Sequence, residues 1–292
     1  MERFNKITII GVGLIGGSIG LAVKKARLAR EVVGVFRRLS TMKKALAMKA
    51  VDRGTLDIAK GVSGADLVII ATRVGLINKI AREAARSMQK GAILTDVGSV
   101  KGSVVTAVER GIPKGIAFVG SHPMAGSEMS GVRFARGDLF RGSICIITKT
   151  PRSPETALRS LRAFWKALGA SVVTMSPSLH DRNVAQISHL PHLIAQALCL
   201  AVDEKSIQFA SGSFKDATRV AFFNEEIWLD IFKGNRSEVI RSTDRFLHIL
   251  KQIRDDLSRN RQKDFTQKIE KAKRIRERYL SAFAENPVHG RG

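Results

Sequence analysis

Gly11-Val-Gly13-Leu-Ile-Gly16 constrains this chain more than any other stretch. It follows the β-branched run KITII and opens LIGGSIGLAVKKA, whose apolar residues recur at helical spacing. Between a strand and a helix, the first glycine allows a tight turn and the second lets backbone approach a pyrophosphate. The third lets helix and strand pack closely. The expected ligand is a dinucleotide. Gly11, Gly13, Leu14, Ile15 and Gly16 would surround its phosphates at the helix N-terminus.

Strand-like and helix-like runs then alternate. EVVGVF, ADLVIIAT, GAILTDVGS, GIAFVGSHP and SICIITKT read as strands, and SVVTMS as one more. Ser40–Met48, INKIAREAARSM and SPETALRSLRAFWKALGA read as helices, the last capped by Ser153. This alternation predicts an α/β, Rossmann-type doubly wound parallel sheet in the N-terminal half. From about His180 the pattern is helical throughout, predicting an all-α C-terminal domain. The expected boundary gives a dinucleotide-binding domain over 1–175 and a substrate-binding and dimerisation domain over 176–292. Leu190–Val202 is apolar nearly all round, which suits burial against a second copy. The tail AENPVHGRG is expected to fray.

The second strand selects the dinucleotide. NAD sites usually carry an acid at its end to hold the ribose hydroxyls. Here that position is Phe36, followed by Arg37, Arg38, Ser40 and Thr41. Arginine pairs with a 2′-phosphate, which an acid would repel. NADP is therefore favoured, with NAD possible, and Arg37, Arg38 and Ser40 are the contacts.

The net charge is +23, and residues 1–150 hold most of it, with 25 Lys+Arg against 10 Asp+Glu. Such a surface attracts anions. Aromatics are only 6% and no base-reading module is present, so nucleic acid is not the expected partner. The start MERFNKITIIGVG has no signal-peptide pattern. No run of roughly 18 consecutive apolar residues predicts a membrane span. The two cysteines, Cys145 and Cys199, lie in apolar runs without metal-ligand spacing, as buried reduced thiols of a cytoplasmic protein would.

Four stretches carry chemistry. TDVGSVK ends the fourth strand, where ligands of such sheets bind, and would turn Ser99 and Lys101 to the crevice, with Asp96 a cap. GSHPMAGSE ends the fifth. Proline after His122 and small residues around it predict a tight exposed loop. HDRNVAQISHLPH holds His180, His189 and His192, but no carboxylates at ligand spacing, so no metal is expected. Pro191 would kink its helix and aim His189 into a cleft. In FKDATRVA, Arg219 has the planar donor fork that suits a carboxylate.

GVGLIGGSIG, DVGSVK, GSHPMAGSE, SHLPH and KDATRVA, in this order, resemble the prephenate/arogenate dehydrogenase family of tyrosine biosynthesis over nearly the whole chain. The resemblance implies a cytoplasmic, homodimeric NAD(P)-dependent oxidoreductase. In that chemistry hydride leaves C4 of prephenate, a base takes the hydroxyl proton, and the ring loses CO2 to give 4-hydroxyphenylpyruvate. It implies that His122 is the catalytic base and that Ser99 hydrogen-bonds near it and the nicotinamide. Arg219 would hold the ring carboxylate, and His189 the side-chain end. Ser127 and Glu128 would also lie at the substrate, and Thr72 at the cofactor. Arg73 stands where members often have proline. No chorismate mutase segment or ACT-type regulatory domain is expected. The runner-up readings are an arogenate dehydrogenase and an amino-deoxyprephenate dehydrogenase of a secondary pathway. A 3-hydroxyacid or imine-type dehydrogenase shares the general plan but lacks GSHPMAGSE. A non-catalytic NADP-sensing or nucleic-acid-binding protein would not need His122, Ser99 and Arg219 together.

Overall fold

The structure, a computed structural model, describes residues 3–126 and 129–284. Its first half is the expected sheet. Strands β1 (Phe4–Ile10), β2 (Ala29–Val35), β3 (Arg53–Thr55), β4 (Leu67–Ile70), β5 (Ile93–Asp96) and β6 (Ala117–Phe118) form one parallel sheet in the order β3-β2-β1-β4-β5-β6. The order reverses between β1 and β4, which opens the crevice where such sheets bind ligands. Helices α1 (Leu14–Lys25), α2 (Leu39–Ala47), α3 (Ile58–Val62), α4 (Val74–Ala85) and α5 (Gly102–Gly111) make the crossovers. Side chains alternate along each strand, so two cores form. Ile7, Ile9 and Ile69 point to one face, and Ile10, Val68 and Ile70 to the other. The short strand β3 and helices α3 and α5 have no counterpart in the expected pattern.

The run GIAFVGSHP is not one strand. It breaks after β6, and Ser121–Pro123 continues as β7 in a second sheet with β8 (Ile144–Thr148) and β9 (Ser171–Met175). β7 is antiparallel to β8, and β9 parallel to it. The split corrects the expectation of a single sheet. It also sets His122: Ser121 Oγ is 2.9 Å from Thr95 Oγ1 and accepts from Trp165 Nε1 at 3.1 Å. Trp165 lies on α6 (Glu155–Ala167), whose N-cap is Pro154 and not Ser153. The Ser153 hydroxyl accepts from Thr150 N instead.

After Met175 the chain is helical: α7 (Pro177–Val184), α8 (Leu190–Ala201), α9 (Gly212–Thr218), α10 (Glu225–Gly234), α11 (Arg236–Ser258) and α12 (Gln262–Ala284). A π-helical turn, Ala185–His189, joins α7 to α8 just before Pro191. Proline supplies no N–H to the turn below it, and a wider turn absorbs the loss. The joined helix Pro177–Ala201 has a mean hydropathy of 1.2 in its best 18-residue window, and by length and composition alone it could cross a membrane. Its second half is bare. Only Ala195 is buried in α8, Leu200 is 87% exposed, and Cys199 is exposed, against the expectation of two buried thiols. Of the tail expected to fray, Ala284 ends α12 and the rest lies outside the described residues.

Candidate active site

The glycine turn is tight and leaves the start of α1 open. Gly11 has φ +92°, and a Cβ there would come within 2.7 Å of the Ala71 carbonyl oxygen. A Cβ on Gly16 would strike the Gly11 carbonyl oxygen, whereas one on Gly13 would meet nothing within 4 Å. The outer glycines therefore serve packing, and the middle one faces open space at the start of α1. That helix has no side-chain cap and no acid in its first turn, so its amides are open to an anion. Across the crevice, the buried Thr72 Oγ1 has no partner among the described residues. These features fit a dinucleotide pyrophosphate. Leu14 and Ile15 open α1 half-buried, and a Cβ on Gly126 would lie 3.8 Å from Ile15 Cδ1, so the turn reaches the loop after His122. Arg73, at the N-cap of α4, forms an ion pair with Glu226 of α10, and Gly75 N donates to Asp230 at 3.1 Å.

At the end of β2 the Phe36 ring is buried and folds back over Gly34 and Gly54. Arg37, Arg38 and Ser40 stand exposed beyond it. An aromatic ring in place of an acid thus turns into the core, and Arg37, Arg38, the exposed Leu39 and Ser40 form the rim, with no acid among them.

His122 lies in β7 opposite Ile146 and is 8% exposed, so it is neither on an exposed loop nor free of partners. Its Nδ1 is 2.8 Å from His180 Nε2, and His180 Nδ1 is 2.7 Å from Asp181 Oδ1. Asp181 also accepts from Lys101 N and Gly102 N, both at 2.8 Å. Burial, then His180, Lys101 and His189, holds the His122 imidazole well below its usual range. Burial also lowers His180, against the opposing pull of Asp181. Such a histidine is neutral at pH 7 and can accept a proton. Ser99 is half-buried between β5 and α5. Lys101 does not face the crevice. It is fully buried in an ion pair with Asp96, which also accepts from Gly98 N at 2.8 Å.

The π turn carries His189 inward, 1% exposed, with Nδ1 3.3 Å from Asn235 Nδ2. Beside it His192 stacks on Trp228 at 3.6 Å, and Trp228 meets His189 edge-on at 6.0 Å. Arg219 is exposed on the 3₁₀ turn that follows α9, and its charge helps depress His192, after burial. Ser127 and Glu128 lie outside the described residues. Among the described residues no three His, Cys, Asp or Glu side chains are grouped to hold a metal ion. Sequence reasoning weighed His180 only as a metal ligand and passed over Asp181, Trp228 and Asn235. The adjacent pair His180-Asp181 was the available signal.

Burial lowers the His189 pKa from 6.5 to about 4. A depressed histidine binds its proton more readily unfolded, so its contribution is full above pH 6.5 and fades as pH falls toward 4. The shift corresponds to roughly 3 kcal/mol at most. His189→Gln should flatten the fall in unfolding free energy between pH 6.5 and 4, measured by denaturant titration. An unchanged slope would mean that His189 does not titrate in that window.

Residues 19–174 match the family described as prephenate dehydrogenase, nucleotide-binding domain, and 176–271 that described as prephenate dehydrogenase, dimerization domain. The prephenate dehydrogenase of Bacillus subtilis (strain 168) is 34% identical over 255 residues, 85% of this chain and 69% of that protein. The cyclohexadienyl dehydrogenase of Zymomonas mobilis is 34% identical over 262 residues, 87% of this chain and 89% of its own. A solved prephenate dehydrogenase from A. aeolicus, in complex with hydroxyphenyl propionate and NAD+, superposes with a TM-score of 0.89 at 28% identity, covering 95% of this chain and 99% of that one.

Proposed function

The chain belongs to the prephenate dehydrogenase family, and from that premise we propose how its residues divide the work. It is an oxidoreductase that converts prephenate, with decarboxylation, to 4-hydroxyphenylpyruvate in tyrosine biosynthesis. The bound nicotinamide supplies the hydride acceptor. Gly11, Gly13, Leu14, Ile15, Gly16 and Thr72 hold the dinucleotide. His122 takes the proton of the C4 hydroxyl as hydride departs, and Ser99 hydrogen-bonds beside it. Arg219 binds the ring carboxylate until it leaves as CO2, and His189 steadies the side-chain end. The carrying observation is a buried histidine kept neutral, on a strand whose following loop meets the glycine turn. The exposed guanidinium of Arg219, beside the His192–Trp228 stack, supports its role.

The test follows absorbance at 340 nm with prephenate or arogenate and either NAD or NADP. Prephenate should be turned over faster. A faster rate with arogenate would move the reading to an arogenate dehydrogenase, and no turnover of either would overturn it.

Residues 1–175 bind the dinucleotide in this reading, and 176–292 bind the substrate and pair two copies. In support, the last strand ends at Met175, and the bare apolar side of α8 lies within the region matched to a dimerization domain. A second copy, and not lipid, covers it, because the same helix carries the buried His180, Asp181 and His189. A cytoplasmic location goes with free thiols and a biosynthetic substrate.

NADP is the preferred oxidant. Phe36 leaves the ribose 2′-position without an acid, and Arg37 and Arg38 offer charge-assisted contacts of about 1.5–3 kcal/mol each to a 2′-phosphate. Ten-fold discrimination needs only about 1.4 kcal/mol. The ratio of kcat/KM for NADP to that for NAD should exceed ten-fold and collapse in Arg37→Ala/Arg38→Ala. A wild type that prefers NAD, or a ratio the double substitution leaves unmoved, would make these arginines part of the general basic surface.

A further inference from the structure

We propose that His180 and Asp181 are positioning residues that decide which nitrogen of His122 receives the substrate's proton; this rests on the dehydrogenase reading above. The geometry leaves one neutral arrangement of protons. A carboxylate only accepts, so the 2.7 Å contact with Asp181 Oδ1 puts the His180 proton on Nδ1. His180 Nε2 is then an acceptor. Its partner at 2.8 Å, His122 Nδ1, must donate. A neutral imidazole has one proton, so His122 Nε2 is left with a free lone pair.

Asp181 accepts from two backbone amides, Lys101 N and Gly102 N, at the start of α5. Those residues lie just past Ser99, so one carboxylate ties the base to the loop that carries its proposed neighbour. Asn235 Nδ2 fixes the other side of this corner, donating to the Asp181 carbonyl at 2.8 Å. His180 is fully buried and Asp181 6% exposed, so water does not compete for either.

The proton account closes. The C4–H electron pair leaves as hydride to the nicotinamide, the O–H bond breaks, and His122 Nε2 takes the proton. The positive charge then forms on an imidazole whose Nδ1 proton can pass to His180 Nε2, leaving the cation against Asp181. The other groups facing His122 are Lys101 and His189, and both oppose its protonation. Asp96 is engaged by Lys101. Asp181, through His180, is therefore the group that favours the charged state.

Nitrogen-15 NMR of the labelled protein, without substrate or dinucleotide, reads the tautomer directly. The expected wild-type spectrum has His122 protonated at Nδ1, and a proton at Nε2 would overturn the proposal. In Asp181→Asn the tautomers should mix, and kcat should fall by about ten-fold or more, within the roughly 10²–10⁴-fold that a general base contributes. KM and dinucleotide affinity should stay within about three-fold, as expected when an interaction acts only in the transition state. His180→Gln keeps an acceptor for His122 Nδ1 and should retain more activity than His180→Leu. Equal losses in these two, or an Asp181→Asn variant with the wild-type tautomer and kcat, would leave both residues merely structural. If Asp181→Asn does not fold, the wild-type spectrum and the His180 pair still decide. A wild type with no turnover of prephenate overturns the dehydrogenase reading but not the tautomer, which the spectrum settles alone.

Discussion

His122→Asn is expected to lower kcat by roughly 10²–10⁴-fold, the usual contribution of a positioned general base. Asparagine has similar size and can still donate to His180, so β7 and its pairing with β8 should persist. It has no nitrogen able to take a proton. The loss should fall on kcat and kcat/KM alike, with dinucleotide affinity unchanged, because the lost interaction exists only while the proton moves. The wild-type pH profile gives an independent check. The base works only when neutral, so activity falls on the acid side of its pKa. Burial, followed by His180, Lys101 and His189, holds that pKa well below 6.5. The acid limb of kcat/KM should therefore lie well below pH 6.5, with a plateau through neutrality. A variant keeping more than about half its activity, or a wild-type limb at 6.5, would remove His122 from the role of base.

Local pattern reached some of this architecture and missed the rest for physical reasons. The glycine turn and the apolar strands are local signals, since buried parallel strands read as unbroken β-branched runs. They revealed the sheet and the turn that opens α1. The break between Phe118 and Ser121 was not legible. GIAFVGSHP is apolar and continuous, and only long-range pairing, of β6 with β5 and of β7 with β8, shows that its two ends serve different sheets. His122 stood out because proline follows it, yet that same feature suggested an exposed loop. Its strand partner in β8 and its ring partner His180, 58 residues away in sequence, are both long-range. Asp181 was invisible for a similar reason. Its partners are backbone amides at Lys101 and Gly102, and backbone amides leave no trace in a sequence. Pro191 did signal an irregular helix, and the irregularity is a π turn and not a simple kink. Cys199 and the apolar run around it read as buried, because hydrophobicity reports that a surface needs covering and not what covers it.

Lys101→Met is expected to cost about 3–5 kcal/mol of stability, the usual effect of removing one partner from a buried ion pair. Lys101 and Asp96 are both fully buried. Without the ammonium, Asp96 keeps one bond, from Gly98 N, while its Oδ1 has no partner among the described residues even now. A charge so placed must stay unpaired or take up a proton, and either route destabilises the fold. The midpoint of thermal unfolding should drop by roughly 6–20 °C, taking 2–4 °C per kcal/mol for a chain of this order of size. The double substitution Asp96→Val/Lys101→Met removes both charges, and should recover most of the loss, since well-packed apolar replacements of a buried pair are often neutral. That non-additivity identifies the pair as the cause, which a simple cavity would not produce. A second consequence reaches the chemistry. The Lys101 charge is one of the groups that depress His122, so either variant without it should let the His122 pKa rise. The acid limb of kcat/KM would then move to higher pH, even in a double variant of restored stability. A Lys101→Met protein as stable as wild type, or a double variant whose acid limb does not move, would show that the buried lysine neither holds the strand end together nor acts on the base.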